Sequence, residues 1–309
     1  MIARPLFAAA ALTATLSLAQ PLPASAGFVS RVVHDDVLFH PPYRPPLSTW
    51  SAPDAQGRRA ISLTAADGTT LRGWFYPSTH PHAPFLLVFY GTQHTIAAAT
   101  LRSRWLCDQG FNVVLFDYRG YGYSDGTPHL NTIVADALHE YDDVAKMSRT
   151  DGDGAEPVVY GWSLGAIVAA RVASERPVRA LALEAPIASA EEELRYMRDV
   201  LLPPYVRMTF SLQLDPELSE YGNVVAAMRM IHAPLLVLHG TDTDPTPIAQ
   251  AREVFDASPA RKKTFAAIPE PLLDRNAYGD TEAGRALATF LHDATAESAP
   301  PLRTARRTP

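Results

Sequence analysis

Short, unbroken apolar runs recur along the chain: "PFLLVFYG", "NVVLFDYRG", "PVVYGWS", "VRALALEAP" and "APLLVLHG". Runs of this length, closed by Gly, Ser or Pro, read as strands covered on both faces. Between them lie amphipathic stretches that read as helices: "TIAAATLRSRWLCDQG", "TIVADALHEYDDVAKM", "LGAIVAARVASE" and "TPIAQAREVFDAS". A last strand, "KKTFAAIP", and a last helix, "TEAGRALATFLHDA", complete the series. Such alternation specifies right-handed crossovers and an α/β fold, with a mostly parallel central sheet and helices on both faces.

Three regions depart from this rhythm. "RAISLTAADGTTLRGWFYP" alternates apolar and polar positions around Asp67-Gly68, which predicts a β-hairpin. Residues 187–231 carry helical stretches, a Pro-Pro break and no clear strand. An insertion of this length is expected over the carboxyl ends of the strands, as a lid. Residues 27–58 are rich in Pro and aromatics and read as an extended lead-in to a domain spanning 59–294; residues 295–309 read as a disordered tail.

The first 26 residues read as an export signal: one positive charge in "MIAR", an apolar stretch, and Ala24-Ser25-Ala26 before Gly27. The apolar run is short and Ala/Thr-rich for a membrane span. A mature chain beginning near Gly27, periplasmic or secreted, with no stable membrane span, is therefore expected.

Composition narrows the classes further. The 309 residues are 47% hydrophobic and 19% charged, with a net charge of −6, which is globular and unlike a basic nucleic-acid surface. Cys107 is the single cysteine, so no intrachain disulfide can form. No H-E-x-x-H, clustered His/Cys spacing, G-x-G-x-x-G or P-loop appears, so neither a metal nor a nucleotide cofactor is expected.

One motif carries chemistry. Gly161-Trp162-Ser163-Leu164-Gly165 lies between an apolar strand and a helix, the context a G-x-S-x-G nucleophile elbow requires. The tight turn strains the serine backbone, and flanking glycines let it close without Cβ clashes. Ser163 would then stand at a helix N-terminus, where backbone N–H groups favour negative charge.

With this motif in place, the chain resembles the α/β-hydrolase superfamily, in particular its small bacterial serine esterase or peptidase-like branch, over roughly residues 60–292. The resemblance implies that Ser163 is the nucleophile and that the N–H groups of Thr92 and Leu164 form the oxyanion hole. In "VFYGTQ", Tyr90 stands where the family usually has His, and its hydroxyl could orient a ligand. "FDYRGYGYSDGTP" resembles the family's D-x-R-G-x-G-x-S segment, in which Asp117 and Arg119 would fix loops.

The acid and base do not fit the family so well. A serine hydroxyl needs an imidazole to take its proton, and that imidazole needs a carboxylate to hold its tautomer. Aligning "LHGTDTDPTP" with the family's H-G-x-x-D-x-x-x-P loop puts Thr243 at the acid position, flanked by Asp242 and Asp244. A one-residue shift would let Asp244 serve; Glu184, ending "ALALE", is another option. The family's G-x-G-H-type loop is replaced by "AAIPEPLLDRNAYGD", with Leu272, Leu273 and Asp274 near the histidine's place. No His lies between His239 and His292. His94 in "GTQHT", beside the oxyanion loop, is the candidate substitute base, with His129 behind it. His239 reads as a loop-ordering residue and His292 as a helix residue.

Magnitude shows why the histidine matters. Losing it from a serine triad costs roughly 10⁶ in kcat in a well-studied hydrolase, or about 8 kcal/mol of barrier reduction. Two readings follow. One is a hydrolase fold with a degenerate triad and at most weak hydrolysis of a carboxylic ester or amide. The other is an active esterase-like enzyme with displaced acid and base. Either would take a small-molecule or acyl ligand.

Overall fold

The computed structural model describes residues 29–42, 44–52, 54, 57–201, 210–241, 246–269, 279 and 281–296. The expected signal segment lies outside the described residues, as do residues 297–309 of the expected tail 295–309; Thr295 and Ala296 instead end the last helix.

A short strand, β1 (Val29–Val33), and 3₁₀ turns at Asp35–Leu38 and Leu47–Thr49 lead into the hairpin β2 (Arg59–Thr64) and β3 (Thr70–Tyr76). The register pairs Thr64 with Thr70, and Gly68 takes the left-handed φ of +86° that closes the turn. Then follow β4 (Phe85–Phe89), helix α1 (Thr100–Asp108), β5 (Asn112–Phe116), α2 (Leu130–Asp151), β6 (Val158–Trp162), α3 (Leu164–Glu175) and β7 (Ala180–Glu184). The insertion contributes α4 (Ala190–Leu201), β8 (Phe210–Leu214), α5 (Pro216–Tyr221) and α6 (Val224–Met228). The alternation resumes with β9 (Leu235–Gly240), α7 (Ile248–Ala257), β10 (Lys263–Ile268) and α8 (Glu282–Ala296).

The main sheet has eight strands in the order β2-β3-β5-β4-β6-β7-β9-β10. β3 runs antiparallel to β2 and β5, and the remaining neighbours are parallel. Every residue of β4, β5, β6, β7 and β9 is buried, which requires cover on both faces. Helix α3 packs on β4, β6 and β7, α2 packs on α3, and α8 lies against β7, β9 and β10. This is the α/β arrangement expected from the alternation.

The strand order places the site. β4 sits between β5 and β6, so the chain turns to opposite sides of β4, a topological switch point. Ligands in open α/β sheets bind in the crevice at the carboxyl ends of strands at such a point. The register aligns Phe89 with Gly161, which brings the loop after β4 beside the turn after β6.

Two expectations are corrected. Residues 187–231 do contain a strand: β8 pairs in parallel with β1, Phe210 opposite Val29 through Leu214 opposite Val33, as a separate two-stranded sheet. "FSLQL" alternates with period two, but its partner lies about 180 residues earlier, beyond any local reading. The helix read from "TIAAATLRSRWLCDQG" starts only at Thr100. The preceding turn is held elsewhere, because the Ile96 N–H donates to Asp117 Oδ1 at 2.8 Å.

Candidate active site

Ser163 caps α3 with φ +54° and ψ −122°, a conformation that L-residues rarely adopt. Such strain costs of order 1–3 kcal/mol and persists only where surrounding structure imposes it. The glycines show what imposes it. A Cβ on Gly161 would lie 2.1 Å from the Gly165 carbonyl oxygen, and one on Gly165 would lie 2.2 Å from that of Phe89. Helix α3 therefore rides directly on β4 and β6, and only glycine fits at either contact. The Ser163 N–H donates to the Glu184 carbonyl at 3.0 Å, which ties the elbow to the end of β7.

Leu164 is the first residue of α3, so its N–H has no carbonyl partner within the helix. The loop after β4 abuts the nucleophile: a Cβ on Gly91 would stand 3.2 Å from Ser163 Cβ. Thr92 follows at once, and the His94 N–H donates back to the Gly91 carbonyl at 3.1 Å. The His94 ring meets Trp162 edge-on, with ring centres 6.0 Å apart. The structure thus gathers Thr92, His94, Ser163 and Leu164 around one turn.

Beneath this surface lies a buried polar framework. Asp117, with no exposure, accepts from Tyr90 Oη at 2.9 Å, Ile96 N at 2.8 Å and Tyr123 N at 2.8 Å. Burial pushes its carboxyl up to about 6, against the opposing pull of those donors. Tyr90 is equally buried, and its hydroxyl also accepts from the Tyr118 N–H at 3.0 Å. The idea that this hydroxyl orients a ligand is therefore corrected: it braces the loops from below. Arg119 grips Asp136 through two hydrogen bonds of 2.7 Å and reaches Asp67 at 2.9 Å, fixing the hairpin turn to α2 as its place in the motif implied.

The sequence reading missed a second buried group. Arg102 on α1 lies 3.0 Å from Glu184 Oε2 and 2.9 Å from Tyr160 Oη, and Tyr160 also bonds that carboxylate. The guanidinium stands 4.2 Å over the Trp162 ring. All four residues are nearly inaccessible. Glu184 thus serves as the anion of an ion pair behind the elbow, which removes the reason to consider it as a triad acid. The signal existed: Ala99, Arg102, Ser103 and Leu106 fall at helical spacing on one buried face, so an arginine sits within an apolar stripe.

The other histidines singled out in the sequence have neighbours of their own. His239 is buried at the end of β9, its Nδ1 2.7 Å from the Gly240 carbonyl oxygen. His292 is an exposed residue of α8 against Phe111. His129 precedes α2 with its ring 3.4 Å from Asp35. Asp242, Thr243 and Asp244, and likewise Leu272, Leu273 and Asp274, lie outside the described residues. Among the described residues no group of three or more His, Cys, Asp or Glu side chains could hold a metal ion.

Comparison with known proteins agrees with this geometry. Residues 81–220 match the serine aminopeptidase S33 family. An uncharacterised protein of Mycobacterium tuberculosis is 31% identical over 218 residues, covering 68% of this chain and 70% of that one. Rat lysophosphatidylserine lipase ABHD12 is 31% identical over 200 residues, covering 61% of this chain and 49% of the lipase. The solved Pyrococcus furiosus esterase Pf2001 superposes with a TM-score of 0.60 at 17% identity, covering 82% of this chain and 98% of the esterase. The chain belongs to the α/β-hydrolase superfamily; a lipase is among its sequence relatives, and an esterase shares its fold.

Proposed function

We propose that this chain is an exported hydrolase-fold protein whose Ser163 elbow receives an acyl group from a carboxylic ester or amide, with weak turnover. One observation carries the nucleophile: Ser163 holds φ +54° between two glycines that no other residue could replace. Strained backbone of this kind clusters at active sites. Thr92 and Leu164 would offer their N–H groups to the developing oxyanion. Weak turnover follows from the sequence, in which no histidine lies between His239 and His292 and Thr243 takes the acid's position. A small acyl or ester ligand agrees with the named activities of the esterase and lipase relatives. Export rests on the pattern of residues 1–26.

The experiment is labelling with a fluorophosphonate probe, followed by mass spectrometry. A slow adduct confined to Ser163 and absent in Ser163→Ala is expected. An adduct-free protein would rule out the nucleophile and leave a ligand-binding cleft.

One observation favours a second reading. The His94 ring stands against Trp162, the residue next to Ser163, on the same loop as Thr92. With Asp244 as displaced acid, it would make an active esterase-like site. Labelling that is fast, and that His94→Ala slows at least a hundredfold, would support this reading over the first.

A further inference from the structure

The lead-in does more than precede the domain. It is anchored at four points. β1 pairs with β8 of the insertion, and Asp215, at the end of β8, donates its N–H to the Val33 carbonyl at 2.9 Å and stands 3.0 Å from the His34 ring. Asp35 accepts the Leu130 N–H at the start of α2. Phe39 is buried in the core. The fourth anchor is on the loop beside Ser163: the Thr92 hydroxyl donates to the Leu38 carbonyl oxygen and accepts the His40 N–H at 3.1 Å.

Proton counting sharpens this last contact. Thr92 Oγ1 has one hydrogen, and Leu38 takes it. Tyr121 Oη lies 3.3 Å from Thr92 Oγ1, so between these two the tyrosine must donate. The His40 N–H is shared, reaching Tyr121 Oη at 3.1 Å as well. The Thr92 hydroxyl is thus saturated by one donated and two accepted hydrogen bonds. Thr92, the residue after the Gly91 that abuts the nucleophile, is held by its side chain to a segment some fifty residues upstream.

We propose that residues 29–40 form a strap that sets the loop after β4, with the Thr92 hydroxyl as the positioning group, and that the β1–β8 pairing makes strap, loop and insertion one mechanical unit. Thr92 then has two separable parts: a backbone N–H that faces the reacting oxygen in the proposed function, and a side chain that fixes where that N–H points. The strap itself stands on the geometry alone; its effect on acylation rests on the function proposed above.

The test uses the full chain and three variants. Thr92→Val keeps the side-chain shape and removes the hydroxyl, Thr92→Ser keeps the hydroxyl, and Tyr121→Phe removes one donor. Hydrogen-exchange mass spectrometry reads peptides covering residues 29–40, 90–96 and 210–215. Fluorophosphonate labelling is measured as a maximal rate constant and a probe affinity. Thr92→Val is expected to speed exchange in all three peptides, leave β6 and β9 unchanged, and cut the maximal labelling rate about tenfold at unaltered probe affinity. Tyr121→Phe should act in the same direction more weakly, and Thr92→Ser should behave as the parent. Unchanged exchange in 29–40, or acceleration spread evenly over the main sheet, would overturn the strap. An unlabelled parent protein would overturn the functional reading while the exchange measurement still decides the strap.

Discussion

Two parts of the proposed machinery differ in kind. On one side, the loop after β4, the elbow and the segment after β5 are held by buried groups bonded to one another: Tyr90 to Asp117, Arg119 to Asp136, Arg102 to Glu184. On the other side, the sequence following β9 and β10 carries Thr243 and a Leu-Leu pair where the family resemblance implies an acid and a base. The contrast separates two requirements of a serine hydrolase. Holding a nucleophile in a strained turn is a packing problem, distributed over dozens of residues and hard to lose piecemeal. Activating it takes two side chains, and either can be lost while the fold remains.

The comparison breaks first at the buried ion pair. Removing Arg102 would leave the Glu184 charge in the interior without its cation, and truncating one partner of such a pair costs about 3–5 kcal/mol. Arg102→Ala should therefore lower unfolding free energy by about that amount in a denaturant titration. A loss below about 1 kcal/mol would mean that the pair does not brace the elbow.

A smaller effect tests the border between the two sides. Glu193 on α4 accepts from Thr246 Oγ1 at 3.2 Å and Gln250 Nε2 at 2.9 Å, just beyond the expected acid loop. Burial pushes its carboxyl from 4.5 up to about 7, despite both donors. The folded state thus holds this proton more tightly than the unfolded chain does. The contribution is fully present below about pH 4.5 and is lost as pH rises through about 7. Glu193→Gln should flatten that decline and be the more stable protein at pH 8, by about 2–3 kcal/mol at most. Parallel stability-versus-pH curves for the two proteins would refute it.

Local pattern revealed the fold well because most of its determinants are local. The Asp67-Gly68 hairpin, the buried strands and the elbow each announce themselves within about ten residues, and Asp117 and Arg119 stand in the loop-fixing segment expected of them. What escaped is non-local. Glu184 reads in the sequence as an optional triad acid, whereas Arg102, 82 positions earlier, is bonded to it. Tyr90 looked like a ligand-facing hydroxyl, but a tyrosine at the end of a fully buried strand turns inward. β8 was missed since its partner β1 belongs to a segment with no regular pattern, and nothing near Thr92 in sequence announces Leu38 or His40.

The central claim is that this protein keeps the nucleophile's half of the machinery and lacks the base's half. Steady-state hydrolysis of p-nitrophenyl butyrate by the parent chain and Ser163→Ala, at pH 7 to 8, tests it most directly. The account predicts a rate that depends on Ser163 yet stays within about 10³–10⁴ of the uncatalysed reaction, far below the rate of an intact triad. A turnover number of roughly 1–10³ s⁻¹, abolished by Ser163→Ala, would contradict it and require a working base in the cleft.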